Sequence, residues 1–229
     1  MKTFHRSMLC AAVLAASVAL PAYADKDRED LAKKLVDSKT VYQELLNIPD
    51  HQVPDWLLKR AKAVVVVPHS IKGALGYGAR VGYGVMSVRN EGGSWSPPCF
   101  VKLQGGSVGF QIGAESNDLV LFFMTESGAR SLVESSKFTL GGKASVAAGP
   151  FGRSGEADTD AKLNAEIYTY SKTKGLFAGV SLEGARLAPD KQWNATYYGQ
   201  AVTAKELLFD QKAPSVPAEA EDFRKVLPS

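Results

Sequence analysis

Two groups of basic residues near the start of the chain carry the first signal of chemistry. Each group lies in a segment whose apolar residues have helical spacing, residues 27–47 and 55–62. The basic positions are Lys33, Lys34, Lys39, Lys59, Arg60 and Lys62. Ammonium and guanidinium groups on an amphipathic helix can bind the phosphates of a membrane surface, and the same pattern is typical of a surface helix docked on a core. The pattern alone leaves both interpretations open.

Other residues are candidates for a more specific contact with the same type of ligand. Glycines in residues 149–155 allow backbone amides to converge on an anion beside Arg153, although a solvated glycine-rich turn has the same composition. Arg80 is a second candidate for a phosphate contact. Trp56, with Leu31 or Leu35, is a candidate for reaching the acyl boundary of a bilayer.

Patterns associated with enzymes occur only in weak form. Residues 105–109 match the G-x-S-x-G pattern of a hydrolase nucleophile elbow around Ser107, but the residues that follow alternate as a strand and no histidine follows His69. His51 and His69 are the only histidines after the leader and lack ligand-like sequence neighbours. Residues 76–78 lack the third glycine of a nucleotide fingerprint. We therefore predict a protein without catalytic activity, metal or cofactor.

The elements that must position the basic residues include two segments that alternate glycine with larger residues. In residues 76–85 the odd positions are apolar, while the even positions hold four glycines and Arg80. Residues 105–114 repeat this design. Period two predicts strands, and strands tolerate so many glycines only where the sheet curves tightly or a second layer lies against the bare backbone.

The remaining pattern predicts the fold class. Residues 63–67 form a β-branched run typical of a buried strand, and residues 95–103 are predicted as an edge strand because of two prolines. Further strands are predicted at residues 138–148, 165–171, 176–182 and 195–198. A capping box at Thr203 predicts a last helix over residues 204–209. We expect an α+β fold, with a strongly curved, mainly antiparallel, glycine-rich sheet, N-terminal amphipathic helices and a short C-terminal helix.

The first 24 residues have the features of a cleaved secretory signal peptide. Lys2 and Arg6 precede an uncharged apolar run at residues 7–20, which is too short to span a bilayer, and residues 22–24 offer small residues for cleavage. The mature chain is then predicted to hold one domain over residues 25–210 and a flexible, solvated tail over residues 211–229.

The composition of the mature chain limits its partners. Loss of Lys2 and Arg6 leaves 25 basic and 24 acidic side chains, a balance that argues against bulk nucleic-acid binding. Cys99 is the only mature cysteine, so no internal disulfide can form, and a small buried residue is the favoured interpretation of it.

Several blocks together resemble the SYLF domain family. They are Ile48-Pro49, Trp56-Leu57-Leu58, Lys62-Ala63-Val64, Gly82-Tyr83-Gly84-Val85, Trp95-Ser96-x-Pro98, the glycine-rich 106–113 segment, Ala148-Gly149-Pro150-x-Gly152-Arg153 and Tyr168-x-Tyr170-Ser171-x-x-Lys174-Gly175-Leu176-Phe177-Ala178-Gly179-Val180. The last block is the most specific of these. The similarity covers roughly residues 27–209, almost the whole mature chain.

The resemblance implies a module that binds anionic phospholipids, partly through a basic amphipathic N-terminal segment. In eukaryotic members the lipids are phosphoinositides, and some of those relatives also bind actin. With the export signal, the resemblance implies a secreted bacterial member that binds phospholipids at the membrane surface of the periplasm or outside the cell. A structural or protein-interaction module of the envelope, with a protein partner and no lipid ligand, is the alternative.

Overall fold

The protein folds as one strongly curled, half-barrel sheet covered by helices. The structure is a computed structural model, and it describes residues 9–48, 52–75, 77–107, 113–135, 138–152 and 165–228. The helices are α1 (Leu9–Leu46), α2 (Asp55–Arg60), α3 (Glu126–Glu134), α4 (Lys191–Tyr198), α5 (Ala204–Leu208) and α6 (Ala218–Lys225). The strands are β1 (Ala63–Leu75), β2 (Tyr77–Val88), β3 (Cys99–Ser107), β4 (Gly113–Phe123), β5 (Phe138–Thr139), β6 (Val146–Ala148), β7 (Ile167–Thr173), β8 (Leu176–Gly179) and β9 (Arg186–Pro189). The predicted α+β class is confirmed.

Strand β1 lies in the middle of the sheet. The strand order is β5-β9-β3-β2-β1-β4-β7-β6, and β8 pairs with the free part of β7. All the described pairings between named strands are antiparallel except that of β6 with β7. Residues 63–67 of β1 are buried at every position, and successive side chains of a strand point to opposite faces, so both faces of the sheet are covered here.

A bulge in β1 explains the glycines of β2. Val66 pairs with Val85, but the next pair is Ile71 with Val81, so residues 67–70 of β1 oppose the shorter segment 82–84 of β2. The extra residue brings the β1 backbone onto β2, where a Cβ atom on Gly84 would lie 2.7 Å from the Cα of Val67. The predicted cover over the bare glycine backbone is therefore confirmed at this position.

The second glycine segment is divided between two strands, which corrects the prediction of one strand over residues 105–114. Ser107 ends β3, Gly113 begins β4, and residues 108–112 lie outside the described part of the chain. Since β3 pairs with β2 and β4 with β1, the two halves flank the β1–β2 pair. The next described element after Ser107 is the strand β4, whereas a nucleophile elbow leads into a helix.

Strand β3 is interior, between β2 and β9, so the prediction of an edge strand at residues 95–103 was wrong. Its two prolines, Pro97 and Pro98, precede the first ladder residue, Cys99, and therefore remove no hydrogen bond from the sheet. Cys99 itself is buried, as predicted.

The predicted strand at residues 195–198 is instead part of helix α4. The side chain of Asp190 caps this helix by accepting from the backbone N–H of Trp193 at 3.0 Å, and Gly199 ends it with a φ of 72°. The capping box predicted for the following helix is confirmed, because Thr203 and Glu206 satisfy each other's backbone N–H groups.

The end of the chain forms helix α6, where the sequence predicted a flexible tail. Ala220, Phe223 and Leu227 are buried, because their spacing of three and four residues forms an apolar stripe within an otherwise charged segment. Arg224 Nε donates to the carbonyl of Trp95 at 2.8 Å, which fastens α6 to the turn between β2 and β3.

Helix α1 lies across the sheet, in contact with β1, β2 and β4. Its apolar residues Leu31, Leu35, Tyr42 and Leu45 are buried, and the ring of Tyr42 packs on that of Phe122 with centroids 6.2 Å apart. No helix in the described residues has the length and apolar character that a membrane span requires. Of the two interpretations of the first basic segment, the structure shows a helix docked on the core.

Candidate functional site

The first basic segment lies beside a cavity of about 550 Å³ between α1, the β1 bulge and α4. We call this the α1 cavity. Its lining residues are Asp27, Asp30, Leu31, Lys33, Lys34, Asp37, His69, Gln192, Trp193 and Thr196. Two of the sequence-predicted lipid contacts, Lys33 and Lys34, are thus brought together at one opening.

Lys34 is the cation with the most unusual surroundings in this cavity. The pKa of its ammonium group is lowered, chiefly because half-burial removes water from the charge, and the charge of Lys33 lowers it further. The carboxylates of Asp37 and Asp118 oppose this shift but do not cancel it. Burial therefore outweighs the two carboxylates in its effect on the ammonium group of Lys34.

His69 reaches the same cavity because the bulge places it in a left-handed conformation with a φ of 53°. Its Nδ1 lies 3.6 Å from Oδ1 of Asp118 and its Nε2 lies 4.0 Å from Oδ2 of Asp37, while its backbone N–H donates to Asp118 at 2.9 Å. Neither carboxylate was visible from the sequence around His69, because Asp37 and Asp118 are both distant from it along the chain. The described residues nonetheless contain no cluster that could hold a metal ion.

A charged network continues from Asp118 along the exposed side of α1. Lys172 of β7 lies 3.9 Å from Oδ2 of Asp118 and donates to Oε2 of Glu44 at 2.6 Å. These contacts fix the second half of α1 to β7. The helix that carries Lys33 and Lys34 is thereby held at two points on the sheet, at the bulge and at the end of β7.

The second basic group lies elsewhere. Lys62 directly precedes the first residue of β1, whereas His69 lies in the middle of this strand. At 3.3 Å per residue the two residues are about 20 Å apart. Lys59 is 3.7 Å from Asp55, and the guanidinium of Arg60 lies 5.8 Å from the ring centroid of Trp56. Lys59, Arg60 and Lys62 are exposed but do not converge with Lys33 and Lys34 on one pocket.

The apolar residues proposed for the acyl boundary are not at the surface of α1. Leu31 and Leu35 are buried against the sheet, so their predicted role was wrong, because the apolar face of the helix completes the core. Trp56 is half-buried and packs edge-on against Tyr168 with centroids 5.7 Å apart. Lys39 is half-buried and lies 4.0 Å from Asp222 of α6, so it belongs to a contact between helices.

The remaining predicted contacts lie away from the α1 cavity. Arg80 is on β2 beyond the bulge, where burial lowers the pKa of its guanidinium against the opposing effect of Glu115. Its cross-strand partners are Lys72 and Gly105. Arg153 lies outside the described residues.

A family model described as "Las17-binding protein actin regulator", Ysc84, matches residues 104–229, more than half of the chain. The chain belongs to the Ysc84 family. The resemblance seen in the sequence blocks is thereby confirmed, since SYLF and Ysc84 describe the same domain. The family is one of binding or adaptor proteins.

Named relatives show how much of a longer protein this domain represents. The chain is similar to the "SH3 domain-containing YSC84-like protein 1" of Xenopus laevis, with 36% identity over 92% of this chain and 62% of that protein. It is 36% identical to "Protein YSC84" of Saccharomyces cerevisiae over 79% of this chain and 38% of the yeast protein. A second yeast relative, "LAS seventeen-binding protein 3", is 37% identical over 79% of this chain and 39% of its own length. The chain thus spans less than two thirds of these Ysc84-family relatives.

Proposed function

We propose that this protein binds anionic phospholipids peripherally, at a membrane surface of the bacterial cell envelope, through the two lysines at the α1 cavity. The observation that carries the proposal is the pair Lys33 and Lys34 at the opening of that cavity. Lys34 is held there with its charge only partly compensated. A phosphodiester placed between the two ammonium groups would restore the balance.

The other residues of the α1 cavity suggest the kind of headgroup. Asp27 and Asp30 make a uniformly anionic ligand unfavourable, since carboxylates repel phosphates at short range. A headgroup that combines a phosphate with hydroxyl donors suits both signs of charge. Phosphatidylglycerol has this chemistry, with its phosphate toward the lysines and its glycerol hydroxyls toward the carboxylates.

Attachment through these groups is expected to be weak and reversible. A lysine or arginine near an anionic surface contributes about 1 kcal/mol, and salt screens this attraction within roughly 10 Å at 0.1 M. The exposed Lys59, Arg60 and Lys62 add to the long-range attraction without forming part of the cavity. The leader at residues 1–24 supports a location in the periplasm or outside the cell.

The test is cosedimentation of the mature chain, residues 25–229, with vesicles of phosphatidylcholine or of phosphatidylglycerol at low and high salt. The double variant Lys33→Glu/Lys34→Gln is expected to lose binding to phosphatidylglycerol, and glutamine at the half-buried position 34 avoids placing a third carboxylate beside Asp37 and Asp118. Circular dichroism and a thermal melt check that the variant keeps its fold. Lys39 is left unchanged because its reversal would also disturb the contact with Asp222.

The matched control is Lys143→Glu/Lys212→Gln, which makes the same change of net charge at two exposed lysines outside the α1 cavity. The control is expected to retain most of the binding. If both double variants lose binding equally, net charge and not the α1 cavity governs attachment. If the wild-type chain ignores phosphatidylglycerol vesicles at low salt, the lipid function is wrong.

A second candidate function, an envelope module that binds a protein, is favoured by a specific feature of the sheet. Ile71 and Val81 are direct cross-strand partners beyond the bulge, and they are 59% and 39% exposed. The family model and one yeast relative are named for binding Las17, which makes a protein partner reasonable for this domain as well. A photocrosslinking residue at position 71, in cells, would join the chain to one envelope protein if this function is correct and to lipid or nothing if it is not.

A further inference from the structure

The most specific sequence block forms a hairpin, β7–β8, whose tip is not explained by packing. Thr173 pairs with Leu176, and the two residues between them, Lys174 and Gly175, both have positive φ angles of 50° and 83°. Two consecutive positive φ angles are the signature of a tight two-residue hairpin turn. Glycine suits this conformation, whereas a lysine there is strained. The tip is thus a closely defined structure and not a loose loop.

Leu176 is a large apolar residue at this tip, yet 78% of its surface is exposed. Along β7 the side chains of Tyr168 and Tyr170 are buried in the core, so the hairpin leaves the core as it approaches the turn. Exposure of one leucine is common on proteins. A leucine at the end of a rigid turn, next to a lysine, is a more specific arrangement.

The surroundings of Leu176 are apolar in the centre and charged at the border. A cavity of about 620 Å³ lies beside it, lined by Glu44, Asn47, Ile48, Lys172, Gly175, Leu176 and Phe177. The ammonium of Lys172 lies 5.9 Å from the ring centroid of Phe177, and Lys174 is exposed at the turn. An apolar tip beside an exposed lysine is typical of segments that enter the interface of a bilayer, because the stem of Lys174 can extend toward the phosphates.

The exposed face of α1 connects this tip with the α1 cavity. Lys33, Thr40, Glu44 and Asn47 are all exposed and follow at spacings of seven, four and three residues, so they share one side of the helix. Lys33 borders the α1 cavity, and Glu44 and Asn47 border the cavity beside Leu176. At 1.5 Å per residue the two ends of this row are about 20 Å apart. A flat membrane surface that lies along this row can therefore contact both the α1 cavity and the cavity beside Leu176.

We propose that the tip of the β7–β8 hairpin is a membrane-inserting element, in which Leu176 enters the acyl boundary and Lys174 contacts the lipid phosphates. This inference rests on the proposed lipid function and adds a hydrophobic contact to it. Such a contact is needed at this surface because Leu31 and Leu35 of α1 are buried in the core. The rigid turn presents the leucine without an ordering cost on binding.

A single-cysteine label tests insertion directly. Leu176→Cys in the mature chain is labelled with an environment-sensitive dye, while Cys99 does not react because it is fully buried and burial raises the pKa of its thiol to about 12. The expected result on adding phosphatidylglycerol vesicles is a blue-shifted, brighter emission that is quenched by lipids carrying nitroxide on the acyl chain. The matched control is Ser94→Cys with the same dye, an exposed position in the turn after β2, at the strand end opposite to the hairpin tip, whose emission is expected to stay unchanged.

A second measurement separates hydrophobic insertion from charge. Leu176→Ser is expected to lower the vesicle partition coefficient about tenfold, the order expected for removing one leucine from an apolar environment, with the salt dependence unchanged. Leu176→Phe is expected to keep the partition coefficient close to that of the wild-type chain, because it retains a large apolar side chain at the tip. Circular dichroism checks the fold, which an exposed side chain hardly affects.

The outcomes separate this proposal from the one on which it rests. If the wild-type chain binds vesicles but the label at position 176 gives no acyl quenching, the insertion is refuted and the lipid function stands. If the label responds without lipid as protein concentration rises, the tip contacts a second copy and the proposal is wrong. If the wild-type chain binds no vesicles, both proposals fail.

Discussion

The β1 bulge makes a sharp prediction about Gly84, because one methyl group there has no room. A Cβ atom at this position would meet the carbonyl of Val66 and would lie 2.7 Å from the Cα of Val67. Both atoms belong to the backbone of the central strand, which is paired with β2 on one side and β4 on the other. Neither can withdraw without breaking ladder hydrogen bonds.

The expected cost of Gly84→Ala follows from this geometry. Overpacking a well-filled site typically costs about 1–3 kcal/mol, and a clash with paired backbone belongs at the upper end, at about 3 kcal/mol. For a domain of this size, each kcal/mol lowers Tm by roughly 2–4 °C, so a decrease of about 6–12 °C is expected. Urea unfolding followed by circular dichroism gives the free energy, and a thermal melt gives Tm.

The control is Gly73→Ala in β1. Nothing lies within 4 Å of the position that its Cβ would occupy, so the change restricts the unfolded chain without straining the folded one. This variant is expected to be neutral or to gain up to about 1 kcal/mol. If Gly84→Ala and Gly73→Ala unfold within about 0.5 kcal/mol of each other, the bulge does not rest on β2 as described and the reasoning is refuted.

Three further predictions concern the core and the network around α1. Phe223→Ala is expected to cost about 3–5 kcal/mol in urea unfolding, because α6 buries this ring, whereas an unattached tail would tolerate the change. Asp118→Asn is expected to cost about 1–3 kcal/mol and to change the NMR signals of His69, since the carboxylate lies beside both its ring and its backbone N–H. Cys99 ionises near its ordinary pKa of 9.0 in the unfolded chain and at a pKa of about 12 in the folded chain, so above pH 9.0 the unfolded state binds fewer protons and stability falls. Between about pH 9.5 and 10.5, wild type should lose up to about 1.4 kcal/mol more than Cys99→Ala, and equal losses would contradict this assignment.

The fold class was predictable because most signals in the sequence are local. The valines of β1, the period-two pattern of β2 and the capping box at Thr203 each specify an element within a few residues. The error at α4 also has a local cause. Its aromatic and β-branched residues favour a strand, but the cap at Asp190 and the packing of Trp193 and Tyr197 on Phe100 favour the helix.

The candidate site was only partly predictable because it depends on contacts between distant segments. The sequence identified Lys33 and Lys34, but it gave no sign that Asp118 and His69, which are 49 residues apart, meet at the bulge. It also left open whether the apolar side of α1 faces the core or a membrane, because an amphipathic pattern does not distinguish a protein core from a bilayer. Leu176 was present in the most specific block, yet its exposure follows only from the turn at Lys174 and Gly175.

The anchoring of α6 has a consequence for the order of folding. The carbonyl of Pro228 accepts hydrogen bonds from the indole of Trp95 and from Arg89, which is 139 residues earlier in the chain. Contacts of such long range form only after nearly the whole chain is available, and long-range pairing slows folding. During synthesis the turn between β2 and β3 therefore lacks these hydrogen bonds until residues 224–228 have been made.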